Sequence, residues 1–204
     1  MLINLLLIVI AYLFGSIPVG VIVGRARGFD PRKTGSGNVG MTNVARSGGA
    51  TAAAVTFAGD LLKGFVPVMI ARAAHLDTAA LATVGLAAVL GAVFSVFLRF
   101  EGGRGVSTSL GVWLALAPTP VLIAIAVFAA VLAARRIMSL ASISAAVSLP
   151  VAVASLSYPT EYVALAAAMS ALVLWRHRAN IGRLMRGQEP TFKLGGRPAS
   201  EEAR

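Results

Sequence analysis

The chain has 204 residues, of which 57% are hydrophobic and only 13% charged, with a mean hydropathy of +0.83; this excludes an ordinary soluble domain and points to a multispanning membrane protein. There is no cysteine and there are two histidines, which rules out a disulfide framework, a cysteine-based zinc site and a histidine-rich metal cage. The net charge of +10 falls in short basic clusters between apolar runs, so it reads as topology signals and phosphate ligands, with no nucleic-acid partner.

Residues 2–23 form an apolar run about long enough to cross a roughly 30 Å hydrocarbon core. No Lys or Arg precedes it, so it lacks the basic region of a cleavable signal and predicts a retained first helix. Pro18, in Gly15-Ser16-Ile17-Pro18, predicts a kink there, with Ser16 placed to bond a freed carbonyl. Arg25, Arg27, Arg32 and Lys33 follow and mark a cytoplasmic loop, which puts the N-terminus outside.

Residues 35–46 are the densest set of hydrogen-bonding groups in the chain. Gly35, Gly37 and Gly40 let backbone approach an anion closely, Ser36, Asn38, Thr42 and Asn43 add polar groups, and Arg46 supplies a fork that matches phosphate oxygens. The glycines fit the dinucleotide pattern G-x-G-x-x-G, but the preceding element is a membrane helix followed by Asp30-Pro31-Arg32, where a βαβ site requires a strand. What remains is glycine-rich backbone at a helix N-terminus, cradling phosphate beside Arg46, against the plainer alternative of a flexible loop.

Residues 50–74 form the second span, which carries Asp60 and Lys63 one turn apart; the pair either neutralises itself structurally or lines a cavity. After an outer turn at Arg72, His75 and Asp77, residues 79–98 return to a second glycine cluster, Gly102, Gly103, Arg104 and Gly105. Residues 106–134 are interrupted by Pro118-Thr119-Pro120. Read as two short helices, they bring Arg135 and Arg136 back beside the other basic clusters. Residues 139–157 then lead out and 162–175 lead back. With this parity nearly every Lys and Arg outside the spans lies on one face, Arg72 being the exception.

The expectation is an all-α integral membrane protein with seven transmembrane helices, its N-terminus outside and its C-terminus cytoplasmic. Residues 1–187 make one domain, and the polar segment 188–204 makes a mobile cytoplasmic tail. Beyond the last span, His177, Asn180 and Arg183 share one side of a helical continuation. Three polar clusters, distant in sequence, are thereby delivered to one face, each with donors suited to phosphate.

These residues resemble the bacterial acyl-phosphate:glycerol-3-phosphate acyltransferases over nearly the whole chain to about Glu189. The likeness rests on Gly15-Ser16-Ile17-Pro18 with Gly20, on residues 35–46, on Asp60 with Lys63-Gly64, on residues 100–108 and on His177, Asn180, Arg183, Gly187 and Glu189. It implies transfer of a fatty acyl group from acyl phosphate to the 1-hydroxyl of sn-glycerol 3-phosphate in phospholipid biosynthesis, without a cofactor or metal. Implied too are a bacterial inner-membrane location with the site on the cytoplasmic face, and a functional link to the enzyme that makes acyl phosphate from acyl carrier protein. Ser36, Arg104, His177 and Asn180 would then be catalytic. Gly35, Gly37, Asn38, Gly40, Thr42, Asn43, Arg46, Gly102, Gly103, Arg104 and Gly105 would bind substrate phosphate, and Asp60 and Lys63 would be a cavity pair. Two departures stand out: Arg104 replaces the family's usual Lys, and Ala92 and Ser95 replace its usual His and Pro. The competing class is a small transporter of an organophosphate or other anion, favoured only by Asp60 and Lys63.

Overall fold

The computed structural model of the chain describes residues 2–191. It is all-α: α1 (Leu2–Ser16), α2 (Val19–Ala26), α3 (Met41–Ala73), α4 (Thr78–Val93), α5 (Val106–Leu116), α6 (Pro118–Arg135), α7 (Met138–Ser155), α8 (Thr160–Arg176) and α9 (Arg178–Met185), with a 3₁₀ turn at Val96–Leu98. Among the described residues five stretches are long and apolar enough to cross a membrane: Leu2–Ala26, Met41–Ala73, Thr78–Leu98, Pro118–Arg135 and Met138–Ser155. The shorter α5 and α8 have 11 and 17 residues. Leu5, Leu122 and Val151 are among the large apolar side chains left exposed on the outside, as a hydrocarbon solvent requires. The molecule is therefore a multi-pass membrane protein.

Pro18 breaks the first span as its lack of an N–H dictates, and the freed carbonyls find donors from other helices. Ser95 Oγ donates to the Ser16 carbonyl at 2.5 Å and Lys63 Nζ to the Ile17 carbonyl at 2.9 Å. The Ser16 hydroxyl turns back to the Tyr12 carbonyl of its own helix. The second span starts earlier than its apolar run suggests: α3 begins at Met41, and Gly49, with φ 74°, divides a short leading helix from the membrane portion. Residues 41–49, ahead of the apolar run at 50–74, are thus part of the helix that opens at the glycine loop.

The proline interruption is a helix boundary. Ala117 is extended, and Pro118 opens α6 at a position where no N–H is needed. Arg72, the cation that stood apart from the other basic residues, donates to the Ala115 carbonyl. It answers an orphan carbonyl in the last turn of α5, which explains a charge at that end of the bundle.

Two helix pairs meet backbone to backbone through reciprocal glycines. A Cβ on Gly15 would strike the Ala88 carbonyl and one on Gly91 the Tyr12 carbonyl, joining α1 to α4; Gly64 meets the Thr108 carbonyl and Gly111 the Leu61 carbonyl, joining α3 to α5. Small residues at such crossings are how membrane helices gain packing without a hydrophobic drive. α4 lies at the centre with most of its length buried, while α6 packs chiefly along α7.

Candidate active site

The helix ends enclose a cavity of about 850 Å³ whose polar mouth leads into an apolar arm. The mouth is lined by residues 35–36 and 38–43 and Arg46, by residues 103–109 at the start of α5, and by Arg176, His177, Asn180, Arg183 and Glu189, while Gly37 and Gly102 lie outside it. The three clusters singled out in the sequence therefore do converge. Asp60 and Lys63 line the same cavity, 2.8 Å apart. Since Lys63 also holds the Ile17 carbonyl, the pair both staples the broken first span and faces the site.

The glycine loop is held in shape from inside. Gly35 and Gly37 have φ of 56° and 72°, a left-handed backbone that other residues adopt at a cost. Asn43, 2% exposed, accepts from the Ser36 N–H at 2.9 Å and donates to the Pro31 and Thr34 carbonyls at 2.8 and 3.0 Å. Both amide hydrogens are spent on the loop, so Asn43 shapes the site from a position on its wall. Ser36, Asn38, Gly40 and Thr42 line the cavity, with Gly40 as the N-cap of α3.

The second glycine cluster is occupied in a way that its composition does not reveal. The Gly102 and Gly103 N–H groups donate to the Val93 and Ala92 carbonyls at 3.0 and 2.9 Å. Their own carbonyls accept from Arg176, Nη2 to Gly102 at 2.6 Å and Nε to Gly103 at 3.1 Å. These two residues cannot offer phosphate donors; they form a clamped platform. What it presents is Arg104, followed by Gly105 in a left-handed turn and the open N-terminus of α5. Ala92 contributes its carbonyl to this platform, and Ser95 the bond to Ser16.

Arg46 and Arg104 have no ion-pair partner among the described residues, although Arg104 is largely withdrawn from solvent. Burial lowers the Arg104 pKa from its ordinary value, opposed by the Glu189 carboxylate and reinforced by Arg183, Arg176 and Arg46. Guanidiniums this crowded, and one of them desolvated, concentrate positive charge at the mouth that an anion would relieve. His177 is 1% exposed and its Nδ1 lies 2.8 Å from the Val173 carbonyl. A carbonyl only accepts, so Nδ1 carries the proton and Nε2 keeps a lone pair. Burial, with Arg104 and Arg176 close by, pushes the His177 pKa down to about 4, and the ring is neutral near pH 7.

Glu189, one of the residues that carry the family likeness yet expected at the head of a mobile tail, is packed into the cavity wall. Its side chain is only 7% exposed. It accepts from Ser139 at 2.7 Å and Asn180 at 2.5 Å on one oxygen and from Arg183 at 2.7 Å on the other. Although burial alone would raise its pKa, these hydrogen bonds hold it below the usual carboxylate range. The signal available was its place as the first carboxylate after the His177–Arg183 face. The rest of the expected tail, residues 192–204, lies outside the described residues. Among those described, no three His, Cys, Asp or Glu side chains gather as metal ligands would.

A bundle of apolar helices that brings unpaired guanidiniums, an open helix N-terminus and a neutral imidazole to the mouth of an apolar cavity defines a membrane protein built to hold a phosphorylated, lipid-like ligand. Residues 5–187 match the glycerol-3-phosphate acyltransferase family model, and the chain belongs to that family. It is 47% identical over 190 residues to the glycerol-3-phosphate acyltransferase of Geotalea daltonii, covering 93% of this chain and 98% of that one. It is 46% identical over 193 residues to that of Geobacter sulfurreducens, covering 95% and 100%. Among solved structures it is similar to PlsY (YgiH), an integral membrane glycerol 3-phosphate acyltransferase. Its glycerol 3-phosphate form superposes with a TM-score of 0.90 at 41% identity, covering 93% of this chain and 96% of that one. The lysophosphatidic acid form gives 0.88 at 40%, covering 94% and 96%.

Proposed function

We propose that this chain transfers a fatty acyl group from acyl phosphate to the 1-hydroxyl of sn-glycerol 3-phosphate, giving lysophosphatidic acid and inorganic phosphate. The observation that carries this is the joining of a cation cluster, with Arg104 drawn out of solvent, to one apolar arm: two phosphates and an acyl tail need such a site, and a soluble phosphate alone does not. Acyl phosphate is already activated, so the protein supplies orientation and charge neutralisation. Arg46, Arg104 and the amides at the starts of α3 and α5 neutralise the phosphates, with Ser36, Asn38 and Thr42 positioning them. The glycerol hydroxyl attacks the carbonyl carbon, the bond to the phosphate oxygen breaks, and the hydroxyl proton passes to His177 Nε2 or to the departing phosphate. Asn180, oriented by Glu189, aligns the hydroxyl. Asp60 and Lys63 bound the cavity from α3.

The same reading puts the protein in the bacterial inner membrane with seven spans, α1 and α2 counting as one, and α5 and α8 crossing as short helices. The N-terminus is then outside, and the C-terminus and catalytic mouth are cytoplasmic. Support comes from the basic residues, which this parity gathers on one face.

The test is phosphate release and lysophosphatidic acid formation by the purified protein from palmitoyl phosphate, with and without glycerol 3-phosphate. Product should require both substrates, and Arg104→Ala should lower kcat/KM by about 100-fold or more. A folded protein that takes labelled glycerol 3-phosphate into vesicles without forming product would establish the transporter instead.

A further inference from the structure

The apolar arm has a shape that goes beyond accommodating a tail. Along α7 its wall is Ser139, Ser142, Ala145 and Ala146, all small and all on one helical face. One turn further the face changes to Leu149, and there the arm also meets Trp113 of α5, Val121 of α6 and Met169 of α8. These four are 9%, 1%, 1% and 2% exposed, so the arm ends against packed core. From Ser139 to Leu149 the helix rises about 15 Å.

We propose that Trp113, Val121, Leu149 and Met169 form a chain-length stop that selects the acyl group by how far it reaches down this arm. This rests on the acyl-transfer reading above. Trp113 is suited to the part because its ring is held edge-on to Tyr162, centroids 6.2 Å apart, and Tyr162 stacks on Tyr158 at 6.5 Å. A stop braced by neighbouring rings and a core-packed Met169 yields less than one free to change rotamer. A chain that fits gains burial with every methylene, whereas one methylene too many must displace packed core or leave the arm, so discrimination is steep at the stop and shallow before it.

The experiment measures kcat/KM of the purified full chain with lauroyl, myristoyl, palmitoyl and stearoyl phosphate at saturating glycerol 3-phosphate. Ala146→Leu, which fills the arm before its end, is expected to lower the stearoyl-to-lauroyl ratio by about tenfold or more. Leu149→Ala, which recesses the stop, is expected to raise that ratio, with the KM for glycerol 3-phosphate unmoved in both. Trp113→Phe should shift the ratio in the same direction as Leu149→Ala. Its indole Nε1 has no acceptor, so the replacement strands no polar partner, and it keeps the test open if a larger change fails to fold. Profiles that superimpose on that of the unaltered chain would overturn the stop and send the tail sideways past α6. If the folded, unaltered chain turned over no acyl phosphate of any length, the acyl-transfer reading would fall first, and the stop with it.

Discussion

His177 gains its chemical character from what surrounds it. The Val173 carbonyl fixes the proton on Nδ1, while burial and two guanidiniums keep the ring neutral, leaving Nε2 with a free lone pair, as the proposed base would need. Because the folded-state pKa of about 4 lies below the ordinary 6.5, an unfolded chain takes up this proton first on acidification. The contribution of His177 to stability is whole above the ordinary pKa and drains away as the pH falls toward the folded value. Imidazole ¹⁵N spectra of the His75→Gln protein, in which a single ring reports, should show the neutral Nδ1–H tautomer at pH 5.5; a cation there would refute the assignment. In parallel, His177→Gln should flatten the loss of thermal stability between pH 7 and pH 4. That Arg46, Arg104 and His177 would come together was legible from the sequence, since charge and imidazole stand out by type in so apolar a chain, and all three line the cavity. Asn43, Gly102 and Gly103 were misread because backbone partners, which composition does not record, consume their donors. Glu189 carried the resemblance but was given no role because it follows the last helix, and Arg176 was passed over because it resembles a topology signal.

The helices themselves were largely foreseeable, since apolar length and the prolines at 18 and 118 carry the information. Where the sequence reading fell short was at α3, whose first turns are polar enough to pass for loop until Gly49 is seen to divide them from the span. Helix pairing was invisible, because a glycine in an apolar run does not say which carbonyl it faces. The reciprocal contact of Gly64 and Gly111 matters for the site, since α3 carries Arg46 at one end and α5 begins just after Arg104. Gly111→Val would drive a side chain into the Leu61 carbonyl and the Phe65 N–H and should destabilise the protein by about 1–3 kcal/mol. Gly182→Ala on α9, whose added carbon meets only the end of Arg186 at 3.5 Å, should be neutral or slightly stabilising by helix propensity. Thermal unfolding of both in one detergent tests the contrast, and equal midpoints would remove the backbone contact from the account.

At the scale of the molecule, the arrangement turns on whether the chain reverses direction at Ala117. α5 rises only about 16 Å and α6 about 27 Å, so if the two run antiparallel from a common turn, the start of α5 lies about 10 Å short of the end of α6. That would sink Arg104 below the level of Arg135, where water is scarce and each guanidinium–phosphate contact is stronger than at the surface. It would also let an acyl phosphate keep its tail in the arm while its head reaches the cations. The chain has no cysteine of its own, so single cysteines report topology without background. With seven spans, Lys33→Cys and Arg135→Cys should react with a membrane-impermeant maleimide only after cells are opened, whereas His75→Cys and Ser157→Cys should react in cells whose outer barrier alone has been permeabilised. Arg135 decides between the models. If α5 and α6 act as one crossing, Arg135→Cys labels from outside, the parity of every later element inverts, and His177 is carried to the face opposite Arg46. Arg46 and His177 line one cavity, so labelling of Arg135→Cys from outside would count against the shared site as well as against the proposed seven spans.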